Sequence, residues 1–129
     1  MPPISQRTER ASTANPFRER LEMEIDVATL AHHIEEGNAS DKFTILDVRS
    51  REDFARGHVP GAVSFPYEEL KKSVDEVPRE KSVITYCYHI GCLLGTRAAA
   101  VLTDAGYDVR DMLGGFEMWR EKQSRLIER

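Results

Sequence analysis

Cysteine is scarce in this chain, with only Cys87 and Cys92 in 129 residues. Two thiols so close together cannot form a disulfide framework, so a hydrophobic core has to hold the fold, and a free thiol in a reducing compartment is the natural reading. Long apolar runs are missing as well. No stretch approaches the roughly 20 apolar residues of a membrane span. The start, Met1-Pro2-Pro3-Ile4-Ser5-Gln6-Arg7, lacks the apolar centre of a secretory leader, which makes the cytoplasm the expected location. Acids and bases are interspersed and the net charge is only -4, so neither nucleic acid nor an anionic membrane is expected as a partner. No glycine-rich nucleotide loop and no internal repeat are present.

What is present reads as one α/β domain. Residues 1–22 are polar and without a clear period, and are expected to form a flexible extension with Asn15-Pro16-Phe17 as its candidate anchor; the domain then runs over 23–129. Asp26 precedes apolar residues at helical spacing, Val27, Leu30, Ala31 and Ile34, with Gly37 as the stop. Phe43 to Val48 reads as a buried strand, Ser50 as the cap of a short helix, and Gly57 to Gly61 as a turn. Ala62 to Phe65 fits a short strand and Glu68 to Val74 a surface helix. Ser82 to Cys87 is the next strand. Leu94, Ala98, Val101, Leu102 and Ala105 mark a helix that ends at Gly106, Tyr107 to Leu113 reads as a last strand, and a terminal helix starts at Phe116. Strands alternating with helices imply a central, mostly parallel sheet flanked by helices on both faces.

Cys87 then stands where a strand runs into the loop Tyr88-His89-Ile90-Gly91-Cys92-Leu93 before a helix. In open α/β sheets ligands bind outside the carboxyl ends of the strands, and the positive end of a helix favours an anion there. The same field is expected to lower the thiol pKa from about 8.5 toward neutrality.

Four short pieces in order carry a resemblance: Leu46-Asp47-Val48-Arg49, Gly57-His58-Val59-Pro60-Gly61-Ala62, Tyr86-Cys87, and Gly114-Gly115-Phe116-Glu117-Met118-Trp119. Together they make the chain similar to a single-domain rhodanese, over roughly Ile25 to Lys122. The resemblance implies a cysteine that takes sulfane sulfur from a small anionic donor, thiosulfate or a persulfide, and passes it to a thiol or to cyanide, with no cofactor and no metal. In the usual pattern the nucleophile is followed five residues later by Arg. That spacing fails for Cys87 and holds from Cys92 to Arg97. Cys87 is nevertheless taken as the nucleophile because it follows the strand directly, and the chain resembles a subgroup whose enlarged loop carries a second Cys.

The loop amides from Tyr88 through Leu93 are expected to form an anion nest around a Cys87 persulfide. Cys92 is read either as a resolving thiol or as an inert wall. His89 polarises a donor or simply faces solvent. Arg97 contributes positive charge or pairs with a surface acid. The resemblance gives Asp47 and Arg49 a supporting role, Asp47 tying down loop backbone and Arg49 pairing with an acid such as Asp53. His58 is a structural hydrogen bonder, and Leu113, Phe116 and Trp119 are core. Cys87, His89 and Cys92 are too few ligands to argue for structural zinc. The alternative functions are a binding or regulatory module on the same fold, and a cysteine-based phosphatase or arsenate reductase.

Overall fold

The structure, a computed structural model, describes residues 15–129; the greater part of the expected extension, residues 1–14, lies outside the described residues. Its remainder is helical. Asn15 accepts from the amides of Phe17 and Arg18 and caps α1, Pro16–Met23, with proline in the first turn where its missing N–H costs nothing. The helix buries none of its side chains and runs into β1, Glu24–Ile25.

The other elements follow in alternation. Helix α2 spans Val27–Glu35 and the one-turn α3 Ala39–Lys42, followed by β2, Phe43–Asp47. Helix α4, Arg51–Arg56, is capped by Ser50, whose Oγ accepts from the Asp53 amide. Strand β3 is Val63–Ser64, α5 is Tyr67–Ser73, and a 3-10 turn over Val74–Glu76 leads to β4, Ser82–Tyr86. Helix α6, Leu94–Asp104, strand β5, Val109–Met112, and α7, Gly115–Lys122, complete the chain. All five strands pair in parallel in the order β1-β5-β4-β2-β3.

Alternation along the strands divides the core. Ile45, Ile84 and Tyr86 face α2 and α7, where they meet Leu30, Ala31, Phe116 and Trp119. Leu46, Val83 and Cys87 face α5 and α6, against Leu70, Ala98 and Leu102. A central strand buried on both faces reads as a continuous apolar run, and β4 does so apart from Thr85. Trp119 is fully buried with its indole N–H on the Leu126 carbonyl at 2.6 Å. Leu113, expected in the core, is instead exposed at the carboxyl end of the sheet, because β5 ends at Met112 and the left-handed Gly114 turns the chain outward (φ +87). No helix among the described residues is long and apolar enough to cross a membrane.

Candidate functional site

Strand β4 carries Tyr86 toward one face of the sheet and Cys87 toward the other, and the chain turns at once into the loop that precedes α6. The loop is folded on itself by His89, whose carbonyl accepts from the Cys92 amide (3.0 Å) and whose Nδ1 accepts from the Gly91 amide (3.1 Å). Those two amides are therefore turned onto His89, and the expected nest over Tyr88 to Leu93 does not form as such. The amides that favour negative charge on the two sulfurs are those of Tyr88, Leu94 and Gly95, at the ends of the loop and the start of α6.

A second support comes from α7. The Phe116 amide donates to the Cys87 carbonyl and the Glu117 amide to the Tyr88 carbonyl, each at 2.8 Å. Gly115 makes this approach possible. Its φ is +63, and a Cβ there would stand 2.8 Å from the Cys87 oxygen and the His89 nitrogen. Tyr88 points its hydroxyl away from the sulfurs, to Asp53 at 2.7 Å, and so ties the loop to α4.

Cys87 Sγ lies 3.4 Å from the Cys92 carbonyl oxygen and within hydrogen-bonding reach of the Cys92 sulfur. Burial pushes the Cys87 thiol up to about 11, and the bond to Cys92 adds to that, while the Gly95 and Tyr88 amides act the other way. This reverses the expected direction: the helix field is present, but at 4% exposure the loss of water outweighs it. Cys92 is more open. Burial raises its pKa too, but the Cys87 thiol and the Leu94 and Tyr88 amides outweigh burial and the net direction is down. The two thiols are thus coupled, and the proton is held more tightly on Cys87 than on Cys92.

Both sulfurs line a cavity of about 200 Å³ together with His89, Ile90 and Leu93. A larger cleft of about 430 Å³ beside Phe43 and Pro60 holds no cysteine. The sequence reading missed Glu24, Thr96 and Asp111, which line the same cavity. Glu24 and Asp111 are opposite each other in the β1–β5 ladder. Burial raises the Asp111 carboxyl to about 6 against the lowering effect of the Thr85 and Thr96 hydroxyls. Nothing in the local pattern Val109-Arg110-Asp111-Met112 sets Asp111 apart from a surface acid; only the parallel pairing of β5 with β4 brings it to Cys87.

Asp47, Arg49 and Arg97 do not reach this cavity. Asp47 Oδ1 takes the Arg49 amide and Nε, and Oδ2 takes Arg49 Nη2 and the Tyr86 hydroxyl, both at 2.7 Å. Arg49 thus pairs with Asp47, not with Asp53, which is held by Ser50, Tyr88 and Arg56. Its guanidinium also donates to the Gly57 carbonyl (2.7 Å) and lies 4.3 Å from the Phe116 ring centre. The Tyr86 hydroxyl accepts from the Val59 amide, so one buried network joins β2, β4 and the turn after α4. Arg97 is exposed on α6, with its charge near Lys71 of α5. Among the described residues no group of three or more His, Cys, Asp and Glu is placed to hold a metal ion.

The crystal structure of the BH2092 protein from Bacillus halodurans superposes with a TM-score of 0.76 at 31% identity, covering 83% of this chain and 77% of that one. Over 77 residues the chain is 30% identical to the thiosulfate sulfurtransferase GlpE of Coxiella burnetii, covering 59% of this chain and 70% of that protein. It is also 32% identical over 77 residues to the HTH-type transcriptional regulator Rv0324 of Mycobacterium tuberculosis, covering 60% of this chain but 34% of the regulator, so it spans about a third of that relative. The family described as Rhodanese-like domain matches residues 26–122, most of the chain, and the chain belongs to that family.

Proposed function

We propose that the chain is a sulfurtransferase in which Cys87 takes up sulfane sulfur as a persulfide and delivers it to a thiol or to cyanide. The observation that carries this reading is the position of Cys87: at the end of β4, with the Gly95 and Tyr88 amides favouring its anion, in a cavity with room for a few heavy atoms. The proton that Cys87 has to lose has an acceptor in Cys92. The thiolate so formed attacks the outer sulfur of the donor, the donor's sulfur–sulfur bond breaks, and the leaving group, a thiolate from a persulfide or sulfite from thiosulfate, recovers the proton from Cys92.

Between the two donor classes, an organic persulfide fits the cavity better than thiosulfate. Its charged lining residues are Glu24 and Asp111, with no Lys or Arg among them, and Arg20 pairs with Glu24 from outside. A dianion gains nothing from such walls. Exposed Ile90 and Leu93 at the rim suit the carbon body of an organic donor. The same lack of a cation weighs against phosphatase or arsenate reductase chemistry, which calls for an arginine on the oxyanion.

Intact-mass measurement after incubation with thiosulfate and, separately, the persulfide of a cationic aminothiol tests the proposal. The expected result is sulfur uptake or its redox consequence in the wild type, faster with the persulfide, and none in Cys87→Ser. Uptake that survives Cys87→Ser and disappears in Cys92→Ser reassigns the nucleophile. No reaction with either donor by a folded protein rejects the sulfurtransferase reading in favour of a binding module.

A further inference from the structure

Two thiols face one small cavity, and the loop has already brought them together: the turn closed by the Cys92 amide on the His89 carbonyl sets the Cys92 backbone 3.4 Å from Cys87 Sγ. Five positions apart in sequence, such a pair can close a disulfide with little movement of the chain. Resting on the reading that Cys87 takes up sulfane sulfur, we propose that Cys92 resolves the Cys87 persulfide, releasing hydrosulfide and leaving a Cys87–Cys92 disulfide. The domain is then a persulfide reductase as well as a sulfur carrier.

The chemistry balances. In Cys87–Sγ–SH the terminal sulfur is sulfane sulfur. The Cys92 thiolate attacks Cys87 Sγ, the Sγ–Sγ bond forms, the Sγ–SH bond breaks, and its electron pair leaves with the terminal sulfur as HS⁻. The sulfane sulfur is reduced and the two cysteines are oxidised by the same two electrons. A small dithiol or a dithiol protein reductant restores the thiols by exchange.

Two features of the site favour this outcome over simple passage of the outer sulfur to Cys92. The first is access and field: Cys92 is the more open sulfur, and the Leu94 and Tyr88 amides favour its thiolate, so it is the better placed of the two to attack. The second is the leaving group. Attack at the outer sulfur would expel the Cys87 thiolate into a site where burial makes that anion costly, whereas attack at Sγ expels hydrosulfide, a weaker base that can leave to water. Asp111 lines the same cavity, and its carboxylate adds repulsion that helps the anion depart.

The test is anaerobic single turnover of fully reduced protein with one equivalent of glutathione persulfide, with sulfide trapped as it forms and the protein followed by intact mass and peptide mapping. The wild type is expected to release close to one sulfide per chain and to lose two hydrogens as a mapped Cys87–Cys92 disulfide. Cys92→Ser, a change at a partly exposed site, is expected to load more slowly for want of the Cys92 proton acceptor, but to hold on Cys87 the sulfur it takes up and to release at least tenfold less sulfide per sulfur loaded. A stable sulfur adduct in both proteins overturns the reductase proposal and leaves the sulfurtransferase reading intact. A disulfide without matching sulfide also overturns it, since the oxidant is then something other than the persulfide. No mass change in either protein overturns both.

Discussion

Asp111 shows how much one side chain can alter the chemistry of this site. Its carboxyl lies between the Thr85 and Thr96 hydroxyls, and Thr85 Oγ1 is 3.0 Å from both Asp111 Oδ1 and the Gly95 carbonyl. Because burial raises the folded pKa to about 6, above its unfolded value near 4, the native state holds an extra proton between those values. The favourable contribution is complete below about pH 4 and is lost as the pH rises through 6. Asp111→Asn, which keeps the shape and an acceptor for Thr85, is therefore expected to leave stability unchanged near pH 4 and to raise it by about 1–2 kcal/mol at pH 7. Urea unfolding at the two pH values checks this, and equal stabilities at pH 7 would mean that the carboxylate is well solvated. The Asp47–Arg49 pair behaves differently: both partners are buried and every contact points at the fold, so truncating Asp47 would leave a buried cation uncompensated.

The elements differ in how plainly they announce themselves. Helices α2 and α6 and strands β2 and β4 carry strong periods or unbroken apolar runs, and their positions follow from the residues within a position or two. Strand β1 has two residues and exists only because β5 offers it an edge, so no local pattern marks it. Helix α1 was missed for another reason: it buries nothing, and its only signal is the Asn15-Pro16 start. Position identified Cys87 in the sequence. The amide geometry did not follow from it, because His89 captures two of the loop N–H groups, one on its ring and one on its backbone carbonyl, and neither contact is written in the local pattern. Gly114-Gly115 entered the sequence reading only as part of a motif, whereas Gly115 is the point where α7 meets the loop backbone. Gly115→Ala is expected to cost about 2–3 kcal/mol, from the left-handed φ and the clash with main-chain atoms that cannot yield as a side chain would. The same variant should take up sulfur from the persulfide at least tenfold more slowly. Denaturant unfolding and single-turnover loading measure the two effects, and a stable variant with unchanged loading would show that the loop does not depend on α7.

Over the whole molecule the net charge of -4 and the acids at the cavity set a field that opposes an incoming dianion. Salt screens that field, since the Debye length falls from about 30 Å at 0.01 M to about 10 Å at 0.1 M. Raising ionic strength over this range is expected to increase the loading rate with thiosulfate two- to threefold and to lower it with the persulfide of a cationic aminothiol. Second-order loading rates against salt check the pair of slopes; parallel slopes for both donors would mean that the site's field does not select between them.

The strand order carries a consequence for how the molecule is made. Strand β1, the first in the chain, is held only by β5, and the carbonyls of Cys87 and Tyr88 are held by amides of the last helix. During synthesis both thiols therefore emerge before the helix whose amides hold their loop, and non-local closure of this kind is slow to form. The surroundings of the pair are complete only when α7 docks, and a chain cut before that helix would keep both thiols but lose the amides that hold the Cys87 and Tyr88 carbonyls.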